Sequence, residues 1–150
     1  MTEIFVDADA CPVKDEVMRV AGRHKLKVHF VSNAWMRLYE GPLVSRVIVP
    51  EGPDEADDWI VDNAVKGDIV VTSDIPLADR CVKKQLRALG PTGKPFTPDT
   101  IGMALAMRDL KAHLRETGEI AGYNAGFTKK DRSQFLQTLE QIVQEAKRDG

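Results

Sequence analysis

The stretch Ile4-Phe5-Val6-Asp7-Ala8-Asp9-Ala10-Cys11-Pro12 decides the fold, because three apolar residues run directly into two aspartates and a proline. An uninterrupted apolar run is typical of a parallel strand that is covered on both faces. Side chains two positions apart on an extended segment point to the same side, so we expect Asp7 and Asp9 to stand together. Pro12 suits the first turn of a helix. The stretch therefore predicts a buried strand, an acidic corner and a helix.

Length and composition place the chain among ordinary globular proteins. Its 150 residues are 43% hydrophobic and 29% charged, so we expect a single domain over residues 1–150. No apolar stretch is long enough to span a membrane, and the first residues lack the pattern of a signal peptide. Cys11 and Cys81 fit no paired metal-ligand spacing, and we expect both to be reduced. These features predict a cytoplasmic protein with no membrane partner.

Strands and helices alternate along the first ninety residues. The predicted strands cover residues 3–7, 27–31, 46–49 and 68–72, and the predicted helices cover residues 12–25, 54–66, 75–89, 99–117 and 129–147. Strands that alternate with helices imply right-handed crossovers and a parallel sheet. The fold class that we expect is therefore α/β, a three-layer sandwich with a mainly parallel sheet of four or five strands.

Acidic side chains follow two of the predicted strands. Asp7 and Asp9 come after the first strand, and Ser73 and Asp74 come after the strand at 68–72. Ligands of open parallel sheets bind beyond the carboxyl ends of the strands, near the point where the strand order reverses. If these two strands are neighbours, the acids converge on one site.

A further acidic pair, Asp54 and Asp57, lies at the start of the second predicted helix. At 100° per residue Asp57 falls within the apolar arc that contains Ile60, so its carboxylate faces the protein and requires a partner. The alternative is a capping box in which Asp54 caps the helix, and Asp74 can likewise cap the helix after it. Capping explains each acid singly, whereas together the acids form the oxygen donor set that Mg²⁺ or Mn²⁺ requires.

Basic residues are concentrated in the second half of the chain. Residues 1–80 hold 9 Lys and Arg against 15 Asp and Glu, and residues 81–150 hold 12 against 8. Most of the candidate cations lie on one ridge of the predicted helix at 99–117 or at the start of the predicted helix at 129–147. They are interpreted either as contacts to phosphates or as ordinary solvated charges. The candidate substrate-binding residues are Lys14, Ser73, Arg108, Lys111, Arg115, Lys129, Lys130 and Arg132.

The segments at 7–14, 52–57 and 72–78 resemble, in order and spacing, those of the YaiI/YqxD family of uncharacterised bacterial proteins. The resemblance covers essentially the whole chain. That family is similar in turn to the PIN-like nuclease superfamily, in which acids at the strand ends bind Mg²⁺ or Mn²⁺ and phosphodiesters are cut. The resemblance implies a PIN-like domain in which Asp7, Asp57 and Asp74 are the principal metal ligands and Asp9 and Asp54 are additional ones. The catalytic residues that it implies are Asp7, Asp9, Asp57 and Asp74.

The function that we expect is hydrolysis of phosphodiester bonds in nucleic acid, with RNA favoured over DNA, by a carboxylate-bound Mg²⁺ or Mn²⁺. One alternative is a phosphatase or phosphotransferase of the haloacid-dehalogenase type, with Asp7 as the nucleophile and Asp9 as the acid. Such enzymes need a lysine after a later strand, and the sequence does not place one. The other alternative is a non-catalytic nucleic-acid-binding domain. The sequence leaves open whether the chain forms a homodimer.

Two further stretches are expected near the same edge of the sheet. Trp35 and Tyr39 follow the second predicted strand and are interpreted as core cover, with base stacking as the alternative. The glycine-rich residues 118–127 are interpreted as a flap over the site.

Overall fold

The computed structural model describes residues 2–34, 41–116 and 127–149. The elements in chain order are β1 (Ile4–Asp7), α1 (Lys14–His24), β2 (Val28–Ser32), β3 (Val44–Ile48), α2 (Glu55–Asn63), β4 (Ile69–Val71), α3 (Ile75–Lys83), β5 (Arg87–Leu89), β6 (Pro95–Phe96), α4 (Pro98–Glu116) and α5 (Lys129–Asp149). Trp35, Tyr39 and nearly all of the proposed flap lie outside the described residues.

The six strands form one sheet in the order β3-β2-β1-β4-β5-β6. Strands β1 to β5 are parallel, and only β6 pairs in the antiparallel direction, with β5. The chain first builds outward from β1 to β3, and then crosses through α2 to β4 on the other side of β1. The strand order therefore reverses between β1 and β4, which is where ligands of such sheets bind.

Helices cover both faces of the sheet, which confirms the three-layer α/β sandwich. Side chains alternate along β1, so Ile4 and Val6 join the core under α1 and α5, whereas Phe5 joins the core under α2, α3 and α4. Phe135 and Leu139 of α5 are fully buried in the first core. None of the helices in the described ranges has a segment long and apolar enough to cross a bilayer.

The turn between β5 and β6 lies directly against α5. Gly93 has a φ of 86°, and a Cβ atom at this position would lie 2.8 Å from the backbone of Gln134 and 2.9 Å from the Phe135 nitrogen. Only glycine combines this backbone conformation with so close an approach. The contact fixes the position of the neighbouring Lys94 relative to the rest of the molecule.

The prediction of one helix over residues 75–89 is wrong at its C-terminal end. Helix α3 ends at Lys83, and the Leu86 N–H donates back to the Cys81 carbonyl over 2.9 Å. Gln85 has a φ of 66°, a conformation that is usually taken by glycine at helix ends. The sequence has no glycine or proline at this end, and its apolar pattern continues beyond it. The predicted helix was therefore too long. The residues beyond α3 form β5, and with β6 the sheet has six strands instead of four or five.

Candidate active site at the carboxyl edge of the sheet

Asp7 and Asp74 are joined by one buried hydroxyl. Val6 of β1 pairs with Val71 of β4, so Asp7 lies beside Thr72 at the ends of the two strands. The Thr72 hydroxyl donates to Asp7 Oδ2 over 2.9 Å and accepts a hydrogen bond from the Asp74 N–H over 3.0 Å. The predicted convergence of the acids after these two strands is therefore present in the structure, because β1 and β4 are neighbours.

Asp74 is also the N-cap of α3. Its Oδ1 accepts a hydrogen bond from the Leu77 N–H over 3.0 Å, so the capping interpretation of this residue is confirmed. Within the described part of the chain, Oδ2 of Asp74 accepts no hydrogen bond. One carboxylate oxygen thus fixes the side chain and the other is available to a ligand, so capping and ligand binding are compatible.

Asp57 lies in the first turn of α2 and is half-buried. Burial, followed by the negative charges of Asp74, Asp7 and Asp54, raises the pKa of Asp57 from 3.8 to about 6, against a smaller opposing effect of Arg80. Asp54 stands at the N-cap position, but its side chain makes no capping hydrogen bond, so the proposed capping box is not formed. Burial is the largest cause of this raised pKa, and the three neighbouring carboxylates add to it.

Asp7 is held in a similar environment. Burial raises the pKa of Asp7, the hydrogen bond from Thr72 lowers it, and the nearby Asp74 and Asp9 raise it further. Asp9 does not continue the strand: it lies in a single 3₁₀ turn at Ala8–Ala10, is exposed, and accepts a hydrogen bond from the Asn33 N–H over 3.2 Å. The expectation that strand alternation aligns Asp9 with Asp7 is wrong, although Asp9 remains within electrostatic reach.

The corner offers oxygen donors that suit a divalent cation. Across residues 2–34, 41–116 and 127–149, no three His, Cys, Asp or Glu side chains are already arranged to hold a metal ion. Mg²⁺ usually binds through one or two carboxylates and keeps several waters, so a ready-made cage is not required. Neighbouring carboxylates that raise one another's pKa also gain from a cation between them. The donor chemistry therefore fits Mg²⁺ or Mn²⁺.

Two residues of this corner were missed by the sequence analysis, Thr72 and Arg80. Thr72 can be inferred only after β1 and β4 are placed side by side. Arg80 lies on α3, donates to Asp58 over 2.8 Å, and lowers the pKa of Asp57 against the effect of the neighbouring acids. The spacing of six residues between Asp74 and Arg80 does not indicate in the sequence that Arg80 lies close to these acids. Burial raises the pKa of the Cys11 thiol and raises that of Cys81 to about 12, which disfavours a thiolate at either position.

Three of the candidate substrate-binding residues lie together. Ser73, Arg108 and Lys111 line one cavity of about 720 Å³ next to Asp74, and Lys94 lines it with them. Lys94 was not among the predicted residues, because its position depends on the β5–β6 hairpin. Arg115 lies in the last turn of α4, and its side chain is outside the described residues.

The remaining candidates lie around the start of α1 and α5. Lys14 donates to the Cys11 carbonyl over 2.9 Å. Arg132 donates to the Pro12 carbonyl over 2.8 Å and contacts Glu16 over 3.3 Å, so it ties α5 to the segment before α1. Lys14 and Arg132 are thus already used by the fold. Two further candidates are exposed in the first turn of α5, Lys129 and Lys130.

Comparison with known proteins identifies a family and no activity. The family model described as "Uncharacterized BCR, YaiI/YqxD family" matches residues 5–145. A UPF0178 protein of Parvibaculum lavamentivorans is 60% identical over 148 residues, which is 99% of this chain and 97% of the relative. A UPF0178 protein of Agrobacterium fabrum is 56% identical over 146 residues, 97% of this chain and 95% of the relative. No solved structure matches significantly.

Proposed function

Since the chain belongs to the YaiI/YqxD family, whose description names no reaction, we propose from its acidic corner that it is a metal-dependent nuclease that hydrolyses phosphodiester bonds of nucleic acid. The observation that supports the proposal is the electrostatic interaction of Asp57 with Asp74 and Asp7, close to the point where the strand order reverses. Three separate elements supply these carboxylates, and the positive charge of Arg80 opposes their effect on the pKa of Asp57 less strongly than they raise it. A fold has little reason to gather such charges unless they bind a ligand.

The ligands of a Mg²⁺ or Mn²⁺ ion at this corner would be Asp7, Asp57 and Asp74, with Asp9 and Asp54 as additional donors. When bound, such an ion lowers the pKa of a coordinated water and stabilises negative charge on a phosphate. Because Asp57 holds its proton up to a pH of about 6 in the free protein, cation binding there competes with protonation. We expect cation affinity, and with it activity, to increase between pH 5 and 7.

The chain's own residues would orient the carboxylates. Thr72 fixes one oxygen of Asp7 through its hydroxyl, and the N-cap hydrogen bond fixes one oxygen of Asp74. The free oxygens are thus held in place before any ligand arrives, which reduces the entropy cost of binding. We favour RNA over DNA as the substrate. We also expect a cytoplasmic location, which suits the two free thiols.

The test is cleavage of a panel of RNA and DNA oligonucleotides, single-stranded and duplex, with Mg²⁺ or Mn²⁺. Asp74→Asn is the informative variant, because asparagine caps a helix as well as aspartate does and only the charge is lost. We expect cleavage to decrease by about 100-fold or more. Asp62→Asn, an exposed position near the end of α2, is the matched control and should cleave like the wild type.

A crystal soaked in Mn²⁺ provides the second measurement. An anomalous peak beside Asp7, Asp57 and Asp74 is the expected result. Equal cleavage by the wild type and Asp74→Asn would contradict the catalytic assignment. Hydrolysis of phosphate monoesters, with oligonucleotides left intact, would instead favour the phosphatase alternative.

A further inference from the structure

The cavity beside the acidic corner forms a groove that the catalytic proposal does not use. It lies between the end of β4, the β5–β6 hairpin and α4, and it encloses about 720 Å³. Ser73 and Ile75, the two neighbours of Asp74 in sequence, form its end nearest the carboxylates. A ligand that fills the groove therefore reaches the acidic corner.

The walls of the groove carry three cations. Arg108 and Lys111 lie one turn apart on α4, and Lys94 belongs to the hairpin on the other side. Among the residues that the structure describes, Lys94 and Lys111 have no hydrogen-bond or ion-pair partner, and Arg108 has only a 3.6 Å contact with its neighbour Asp109. Like charges that face one groove without partners do not stabilise a fold. Their placement suits a polyanion.

The floor of the groove is apolar and contains an aromatic ring. Phe96 is half-buried, and its ring packs over Gly90, where a Cβ atom would lie 3.6 Å from Cε2 and Cζ. Met107 adds a side chain that is 46% exposed. An aromatic face beside several cations is the combination that binds unpaired bases and their phosphates.

We propose that this groove binds a single-stranded segment of nucleic acid, with phosphates on Lys94, Arg108 and Lys111 and a base on Phe96. A duplex stacks its bases on one another, so only an unpaired strand offers a base face and its phosphates to one groove. The strand then leads past Ser73 to the carboxylates. The inference rests on the proposed function, and it defines which form of nucleic acid reaches the site.

The electrostatic part is tested by fluorescence anisotropy of a labelled single-stranded RNA oligonucleotide in EDTA or Ca²⁺. The variant Arg108→Glu/Lys111→Glu should bind at least about 10-fold more weakly. The slope of log affinity against log salt should fall by about 1.4, at 0.7 for each lost phosphate contact. The matched control is Lys147→Glu/Arg148→Glu, at the end of α5. The next residue, Asp149, pairs with Arg87 over 2.6 Å at the start of β5, so this control lies at the amino ends of the strands and the groove at their carboxyl ends. Its affinity should stay within about twofold of the wild type.

The stacking part is tested by Phe96→Leu, which keeps an apolar side chain under the hairpin. We expect affinity for the single strand to fall by about 5- to 100-fold with an unchanged salt slope, because a stacked base is lost and the phosphate contacts remain. The melting temperature of each variant, measured beside the wild type, verifies that the fold is intact. A duplex of the same sequence should bind the wild type more weakly than the single strand does.

The outcomes separate this inference from the nuclease proposal. The inference would be overturned if the wild type and Arg108→Glu/Lys111→Glu bound the single strand equally. Tighter binding of the duplex, or no binding in either buffer, would also overturn it. Cleavage that requires Asp74 but neither Arg108 nor Phe96 also overturns it, and leaves the nuclease proposal standing. Groove-dependent binding without cleavage in Mg²⁺ or Mn²⁺ supports the inference and contradicts the nuclease proposal.

Discussion

Replacing Asp57 with asparagine should make the protein more stable at neutral pH while it removes a proposed ligand of the cation. The pKa of this carboxyl is raised from 3.8 in the unfolded chain to about 6 in the folded protein. Because the folded state binds the proton more tightly, stability falls as the pH rises from about 4 to about 6, and the full penalty applies above that range. Asparagine carries no charge and avoids this penalty.

The size of the effect follows from the pKa. A difference of about two units corresponds to about 3 kcal/mol before screening. The side chain is half-exposed, and its charge interacts favourably with the start of α2, so solvent and the helix dipole reduce the gain to about 1 kcal/mol. For a domain of this length, we expect the melting temperature of Asp57→Asn to be higher by about 2–4 °C.

The measurement is thermal unfolding in EDTA at pH 7.5 and at pH 4. The gain in melting temperature should be present at pH 7.5 and absent at pH 4. Asp62→Asn, on the exposed face of the same helix, should show no gain at either pH. Added Mn²⁺ should stabilise the wild type and not Asp57→Asn, since a ligand that binds only the folded state raises its stability. No gain at pH 7.5, or an equal gain at both pH values, would refute the reasoning that charge repulsion at this corner costs stability.

Two further predictions concern the elements that hold the site. Thr72→Val should lower the free energy of unfolding in urea by about 1–3 kcal/mol, because the Asp74 N–H and Asp7 lose their shared partner. Thr72→Ser, which keeps the hydroxyl, should recover most of the loss, and an equal loss in both variants would contradict this role. Gly93→Ala should cost about 2–4 kcal/mol, because of its positive φ and the 2.8 Å approach of α5. Gly102→Ala, in open space on α4, should instead raise stability by about 0.5–1 kcal/mol in the same urea titration.

The elements that the sequence alone predicts are those with a strong local pattern. The apolar run into Asp7 and the one before Thr72 both identify buried strands, and β1 and β4 are found there. Asp57 could be assigned to the inner face of its helix, because a period of 3.6 places it beside Ile60. The spacing of Thr128 and Asp131 is likewise a local pattern, and the two residues form a capping box at the start of α5 with hydrogen bonds of 3.0 and 3.1 Å.

The features that could not be predicted depend on single backbone conformations or on long-range pairing. Gln85 ends α3 in a left-handed conformation that its residue type does not indicate. The 3₁₀ turn moves Asp9 away from the strand direction, and no residue of that segment marks it. Lys94 joins the groove only because Gly93 brings the hairpin onto α5. In each case the local sequence allows several conformations, and contacts with distant residues select one.

Helix α5 belongs to the helical layer on one face of the sheet, and its place in the chain has a consequence for synthesis on the ribosome. Phe135, Leu139 and Val143 close the core on one face of the sheet, and they follow every strand in the chain. A nascent chain that has only reached α4 can already pair all six strands, yet it leaves Phe30 and its neighbours open to water on that face. The sheet therefore becomes a finished folding unit only after α5 has been synthesised, and until then its apolar face is open to aggregation.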